Sequence, residues 1–158
     1  MVRFTKVGNM YNKKRIVKEE KNVAIFVDGP NMLRKEFMID LRELRRRLEK
    51  YGRIILAKVF INQFAPEKLI EAIINEGFEC EMILAEEKDG DVDVALAASA
   101  VETALTKDID VIALVTRDAD FLPVVQKAKG YGKKVVVVGA DPGFSVSIQH
   151  AADFVEVF

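Results

Sequence analysis

The stretch "VIALVTRDADFLPVVQKAKGYGKKVVVVG", Val111 to Gly139, decides the fold of this protein. It contains two β-rich apolar runs, 110–116 and 133–139, separated by a helical segment at 120–132. The second run is apolar on both faces, as a strand covered by helices on two sides must be. The stretch therefore predicts a parallel strand–helix–strand unit with a right-handed crossover.

The same alternation continues along most of the 158 residues. The predicted strands are 23–28, 53–62, 78–84, 110–116, 133–139 and 153–158, and the predicted helices are 40–52, 66–77, 91–107, 120–132 and 145–152. This pattern predicts a three-layer α/β/α sandwich with a mostly parallel, Rossmann-like sheet in the strand order 3-2-1-4-5. In that order strands one and four are neighbours, and ligands bind in the crevice outside their carboxyl ends.

Composition restricts the chemistry that this chain can perform. Cys80 is the only cysteine, so no internal disulfide is possible, and His150 is the only histidine, which excludes a histidine-rich zinc site. No apolar run approaches the ~20 residues that span a bilayer, and the N-terminus lacks the apolar core of a signal peptide. We therefore predict a cytoplasmic protein without membrane contact.

The basic residues are concentrated at the N-terminus. Residues 1–22 hold seven lysines and arginines against two glutamates, although the whole chain carries a net charge of −1. We predict that residues 1–22 form a basic, flexible extension and that residues 23–158 form the folded domain. An arm that contacts phosphate backbones is the alternative interpretation of the extension.

Four aspartates are predicted to meet at the crevice. Asp28 ends strand one, Asp118 and Asp120 follow strand four, and Asp93 lies in the first turn of the helix that leads into strand four. Each alone has a simple explanation as a turn or helix-cap residue. Two like charges 4 Å apart, however, repel by ~4 kcal/mol at an effective dielectric of 20, so a cluster of them needs a cation. Oxygen ligands without His or Cys favour Mg²⁺ or Mn²⁺, which activates water and stabilises the leaving oxygen of a phosphodiester.

Four further residues near these aspartates are candidates for binding or positioning. Asn31 is predicted to orient a water, a ligand or the Asp28 carboxylate. Thr116 is predicted to donate a hydrogen bond to a carboxylate or a phosphate, and Arg34 and Arg117 are predicted to meet substrate phosphates. The four arginines of "RELRRRLEK" (42–50) allow two interpretations, a solvated helix face or an RNA-binding patch.

Three segments carry a resemblance to a known family: "VAIFVDGPNML", "DGDVDVALA" and "ALVTRDADFLPVVQKAKGYGKKVVVVG". Together they resemble the NYN domain, a branch of the PIN-like ribonuclease superfamily, over about residues 22–158. The resemblance implies metal-dependent cleavage of RNA. It also implies an active site lined by Asp28, Asn31, Asp93, Asp118 and Asp120.

The sequence departs from the family pattern at two places. The family usually has Ser-Gly before the aspartate that follows strand four, where this chain has Thr116 and Arg117. The family often has another aspartate two turns after Asp93, where this chain has Ser99. A catalytically weakened domain that binds RNA or a protein is therefore the alternative function. PIN-like proteins often pair, so a homodimer formed through the last strand is a further expectation.

Three other classes of protein fit the sequence less well. A haloacid-dehalogenase phosphatase needs Asp-x-Asp after strand one, and the stretch Asp28–Asn31 lacks the second acid. A receiver domain needs a paired acid at strand one, an aspartate after strand three and Lys-Pro after strand five, and only part of this set is present. A dinucleotide-binding domain needs Gly-x-Gly-x-x-Gly after strand one, which is absent.

Overall fold

The computed structural model describes residues 20–34, 39–88, 90–106 and 108–158. The strands are β1 (Asn22–Asp28), β2 (Arg53–Asn62), β3 (Glu79–Ile83), β4 (Val111–Val115), β5 (Lys134–Gly139) and β6 (Phe154–Val157). The helices are α1 (Gly29–Met32), α2 (Leu41–Leu48), α3 (Glu67–Asn75), α4 (Asp93–Thr106), α5 (Leu122–Gly130) and α6 (Val146–Ala151). Short 3₁₀ turns follow α2 at Glu49–Tyr51 and precede α5 at Ala119–Phe121.

The strands form one parallel sheet in the order β3-β2-β1-β4-β5-β6. The predicted fold class and strand order are thus confirmed, and β6 extends the sheet beyond β5. In the centre, Phe26 of β1 lies between Lys58 of β2 and Leu114 of β4. Since all strands run in the same direction, β1 and β4 deliver their last residues to the same edge of the sheet.

Two apolar layers cover the faces of the sheet, and β1 contributes to both. Val23, Ile25 and Val27 pack on one side with residues of α1, α2 and α3, and Ala24 and Phe26 pack on the other side with residues of α4, α5 and α6. Every residue of β1 from 23 to 28 is buried. This double burial explains the continuous apolar run that the sequence shows, because alternate side chains face opposite layers.

Some element boundaries differ from those predicted. Helix α1 was not predicted, because four residues are too few to show an apolar period. Asp40 caps α2 as predicted, accepting from the backbone N–H groups of Arg42 and Glu43. Helix α4 begins at Asp93, so Asp91 lies in the preceding loop.

The predicted N-terminal extension lies outside the described residues up to position 19. Its last residue, Asn22, is part of β1, and the carbonyl of Lys21 accepts a 2.7 Å hydrogen bond from Arg53 N. Among the helices of the described ranges, none combines the length and the apolarity required to cross a membrane.

Candidate active site at the carboxyl ends of β1 and β4

Three carboxylates converge at the carboxyl end of β4. Asp93, Asp118 and Asp120 each place an oxygen atom within 4.8 Å of the others. Asp118 caps the 3₁₀ turn at Ala119–Phe121, because its Oδ1 accepts from Asp120 N at 2.8 Å. The helix dipole and the free N–H groups of this turn keep one carboxylate oxygen of Asp118 in place. The arrangement provides oxygen atoms from two separate elements around one point.

Asp28 lies on the buried side of this cluster and is 2% exposed. Its Oδ2 accepts from Thr116 Oγ1 at 3.1 Å, and its Oδ1 accepts from Asn31 N at 3.3 Å. Burial raises the pKa of Asp28 to about 6, and the nearby Asp118 and Asp91 add to this rise, while the Thr116 and Asn31 hydrogen bonds oppose it. The Asp28 carboxylate is therefore oriented by protein groups on both of its oxygens.

The pKa of the Asp93 carboxylate is raised more than that of Asp28. Burial, and to a smaller extent the charges of Asp28, Asp91 and Asp118, together raise the pKa of Asp93 to about 7. Asp91 supports the start of α4, because its Oδ1 accepts from Asp93 N at 3.3 Å. Four aspartates thus share one region of negative potential, and a cation placed among them would relieve their repulsion.

Thr116 and Asn31 connect the turn after β1 to the turn after β4. Thr116 is buried, and its hydroxyl accepts from Asp118 N at 3.2 Å while it donates to Asp28. Asn31 Oδ1 accepts from Arg117 N at 3.0 Å. These contacts fix the relative position of Asp28 and Asp118, the two aspartates that end neighbouring strands.

Arg117 joins two loops at the edge of the site. Its guanidinium donates to the carbonyl of Asn31 at 3.3 Å and to the carbonyl of Pro142 at 2.8 Å. An added Cβ at Gly143 would lie 3.0 Å from Arg117 Nη1, so the loop after β5 packs closely on this side chain. The Arg117 guanidinium thus forms hydrogen bonds with backbone carbonyls on both sides of the crevice.

A second set of contacts connects the loop after β2 to the loop before α4. Asn62, at the end of β2, is 5% exposed and donates to the carbonyls of Lys88 and Gly90 at 3.2 and 3.0 Å. Its Oδ1 accepts from Phe64 N at 2.9 Å. Gln63 adds a reciprocal pair with the backbone of Ala85. The segment that leads to Asp91 and Asp93 is thereby attached to the end of β2.

The remaining predicted residues lie farther from the carboxylates. Arg34 follows α1, is exposed, and lines a cavity beside the site. Ser99 lines a separate cavity between α4 and strands β2 and β3, and none of the clustered aspartates lines that cavity. The α2 arginines contact protein groups: Arg42 pairs with Glu76, Arg46 and Arg47 pair with Glu43, and Arg45 donates to the Gly77 carbonyl. These contacts favour the interpretation of α2 as a solvated, ion-paired face over an RNA-binding patch.

Sequence reasoning did not assign Asp91 or Asn62 to the site. The spacing Asp91-Val92-Asp93 was a usable signal, because both carboxylates precede or begin the helix next to strand four. Asn62 is the last residue of β2. Its three hydrogen bonds to other loops have no sequence signal, because a buried amide at a strand end has no characteristic pattern.

The parallel sheet of this order and the carboxylates that follow β4 agree with a PIN-like α/β domain. The chain belongs to the NYN domain family, whose model matches residues 22–157.

Two similar proteins extend this result. An uncharacterized protein of Methanocaldococcus jannaschii is 52% identical over 148 residues, which are 94% of this chain and 60% of that protein. This chain therefore spans only part of the length of that relative. A protein of unknown function from Vibrio parahaemolyticus has a crystal structure that superposes with a TM-score of 0.77 at 25% identity, covering 88% of this chain and 93% of the other.

Proposed function

We propose that this protein is a metal-dependent ribonuclease that hydrolyses RNA phosphodiester bonds. The observation that carries the proposal is the convergence of Asp93, Asp118 and Asp120 within 4.8 Å at the carboxyl end of β4. Membership of the NYN family supports a nuclease activity. RNA as the substrate follows from the family resemblance, and a cytoplasmic location stays a prediction.

The chemistry of the donor set fits Mg²⁺ or Mn²⁺. The cluster offers carboxylate oxygens and no histidine or cysteine, the ligand type that these ions prefer. Burial and the charges of neighbouring aspartates raise the pKa values of Asp28 and Asp93, and a bound cation would favour the ionised form of both carboxylates. Asp93, Asp118 and Asp120 would hold the ion, with Asp28 completing the site from the buried side. A bound ion would supply an activated water, charge neutralisation at the phosphodiester and stabilisation of the leaving oxygen.

The residues of the chain have separate proposed roles. Thr116 and Asn31 hold the turn after β4 in a fixed position relative to Asp28. The carboxylates therefore stay close together although they repel each other. Asp120 is the most exposed of the three clustered carboxylates, and it would hold the ion from the solvent side. Arg34 pairs with a substrate phosphate beside the site. Arg117 adds positive charge at the rim of the crevice while it joins the two loops.

The experiment is cleavage of end-labelled single-stranded RNA with Mn²⁺ or Mg²⁺, comparing the wild type with Asp118→Asn. Asp108→Asn is the matched control, because Asp108 is an exposed aspartate that precedes β4 instead of following it. We expect Asp118→Asn to lose at least about a hundredfold in rate, more than the loss typical of outer-shell partners. Asp108→Asn should cut like the wild type. Equal cleavage by wild type and Asp118→Asn would identify a contaminating nuclease and refute the proposal.

A binding module with weakened catalysis is the second candidate function. Two observations favour it: Arg117 stands where the family usually has glycine, and Ser99 stands where a further acid is often found. If several RNAs bind but none is cut with either metal, this second function replaces the first. Arg117→Gly should then restore measurable cleavage if Arg117 is the cause.

Homodimer formation through β6 stays a prediction. In the described part of the chain β6 is an edge strand, and Phe154, Val155 and Val157 are each more than a third exposed. Such an edge is suited to pairing with a second strand. A monomer mass in light scattering at working concentration would refute the dimer.

A further inference from the structure

A cavity of about 500 Å³ lies beside the acidic cluster, between the turn after β1 and the turn after β2. The residues of its wall that matter here are Gly29, Pro30, Arg34, Asn62, Phe64 and Lys88. Its walls run directly into the candidate active site: Gly29 follows Asp28, and the segment after Lys88 leads to Asp91. A ligand that occupies this cavity therefore lies next to the turn that follows Asp28.

The lining combines an aromatic ring with two cations. Phe64 lines the cavity and is 45% exposed, so part of its ring is accessible to a ligand. Arg34 and Lys88 are exposed, and both line the same cavity. Aromatic rings that stack on bases and cations that follow the backbone are the two features by which proteins hold single-stranded nucleic acids. An acidic ligand would contact only the two cations, and a purely apolar ligand would contact only the aromatic ring.

The cavity is built around one buried side chain. Asn62 accepts from Phe64 N and donates to the carbonyl of Lys88, so a single amide holds the backbone of these two residues in place relative to each other. Next to it, Gly29 packs so closely on β2 that an added Cβ would collide with the carbonyl of Phe60. These contacts pre-form the cavity, which lowers the ordering cost of binding.

We propose that this cavity binds one base of a single-stranded RNA, with Phe64 stacked on the base and Arg34 and Lys88 paired with the adjacent phosphates. The inference rests on the proposed function, because it treats the acidic cluster as the place where the neighbouring phosphodiester is cut. It goes further by assigning substrate recognition to a surface outside the aspartates and by selecting unpaired over paired RNA. A base in a duplex is already stacked and cannot enter.

The experiment measures RNA binding by the Asp118→Asn protein in the presence of Mg²⁺. The probe is a single-stranded RNA of about eight nucleotides, within the range that single-strand binding grooves cover, carrying one 2-aminopurine. We expect Phe64→Ala to weaken binding about tenfold and to abolish the fluorescence quenching that stacking produces. Phe64→Tyr should restore both readouts. Phe154→Ala is the matched control, because Phe154 is 44% exposed and lies on the edge strand β6.

The two cations give an independent readout. Arg34→Gln and Lys88→Gln should each reduce the salt dependence of RNA binding by about 0.7 in the log–log slope, the value for one phosphate contact on a single strand. The base subsite is refuted if no RNA binds, if Phe64→Ala binds and quenches like the parent, or if Phe154→Ala weakens binding equally. A duplex RNA that binds as tightly as the single strand also refutes it.

The failure of this inference can be distinguished from the failure of the proposed function. Cleavage that depends on Asp118 together with binding that does not depend on Phe64 would refute the base subsite alone. Binding and quenching that depend on Phe64 in a wild-type protein that cuts no RNA would refute the nuclease activity and leave the base subsite standing.

Discussion

Thr116 Oγ1 donates its hydrogen to Asp28 Oδ2 over 3.1 Å, and Thr116 Oγ1 in turn accepts from Asp118 N over 3.2 Å. One buried hydroxyl thus connects the aspartates that end β1 and β4. The carboxylates repel each other, so their positions depend on neutral groups that hold each one from behind. Thr116 contributes to the site through Asp28 and Asp118.

Replacing Thr116 by valine should destabilise the protein by about 1–3 kcal/mol, because the buried Asp28 carboxylate and the Asp118 N–H each lose a partner. The pKa of Asp28 should rise above about 6, since the hydroxyl is the largest influence that lowers it. Urea unfolding measures the first effect and NMR titration of the carboxyl carbon measures the second. Thr116→Ser keeps the hydroxyl and should restore both values. A Thr116→Val protein as stable as the wild type would contradict the connecting role.

Replacing Gly29 by alanine should destabilise the protein by about 1–3 kcal/mol through overpacking. The added methyl group would collide with the Phe60 carbonyl and lie 2.9 Å from Ile61 Cγ2. Gly130→Ala is the control, because no atom lies within 4 Å of a Cβ built at that glycine. It should change stability by less than about 1 kcal/mol, in the stabilising direction. Equal effects of the two substitutions in thermal unfolding would show that the turn after β1 can shift without cost.

The metal-free protein should lose stability as the pH rises from about 5 to 8. The pKa values of Asp28 and Asp93 are about 6 and about 7 in the folded protein, against 3.8 for an ordinary aspartate. The folded state therefore binds more protons than the unfolded state in this window, and its stability falls as those protons are released. Glu43, whose pKa is lowered to about 2, is already ionised there. Thermal unfolding in EDTA measures the trend, and Asp93→Asn should flatten it.

Adding Mn²⁺ should reverse this loss, with a larger rise in melting temperature at pH 8 than at pH 5. A cation competes with protons for the same carboxylates, so its binding strengthens as the protons leave. Asp118→Asn should reduce the rise at both pH values. A shift that is independent of pH, or equal in wild type and Asp118→Asn, would place the ion elsewhere on the protein.

Replacing Asn62 by alanine should cost about 1–3 kcal/mol of stability, because three backbone groups at a nearly buried position lose their partner. The Mn²⁺-induced rise in melting temperature should also fall, since the loop that leads to Asp91 and Asp93 is no longer attached to β2. Gln63→Ala is the matched control. Gln63 is exposed and contacts Ala85 at the far end of the same loop, so its loss should leave Mn²⁺ binding nearly unchanged.

The fold could be predicted because it depends on the order of strands and helices along the chain and on which faces of them are apolar. Continuous apolar runs such as that of β1 identify strands covered on both faces, and their alternation with helices predicts the parallel order. The adjacency of β1 and β4 follows from that order. This adjacency predicts that Asp28 lies at the same edge of the sheet as Asp118 and Asp120.

The sequence by itself determined the fold class, the strand order and which edge of the sheet collects the aspartates, since these depend on patterns that repeat along the chain. Only the tertiary structure decided how the side chains at that edge are used. It places Asp28 behind the three clustered carboxylates, directs Arg117 to two backbone carbonyls, and joins Phe64 and Lys88 through Asn62. The physical reason is that these contacts form between loops distant in sequence, where the direction of each side chain depends on which partner the folded sheet brings within hydrogen-bond distance.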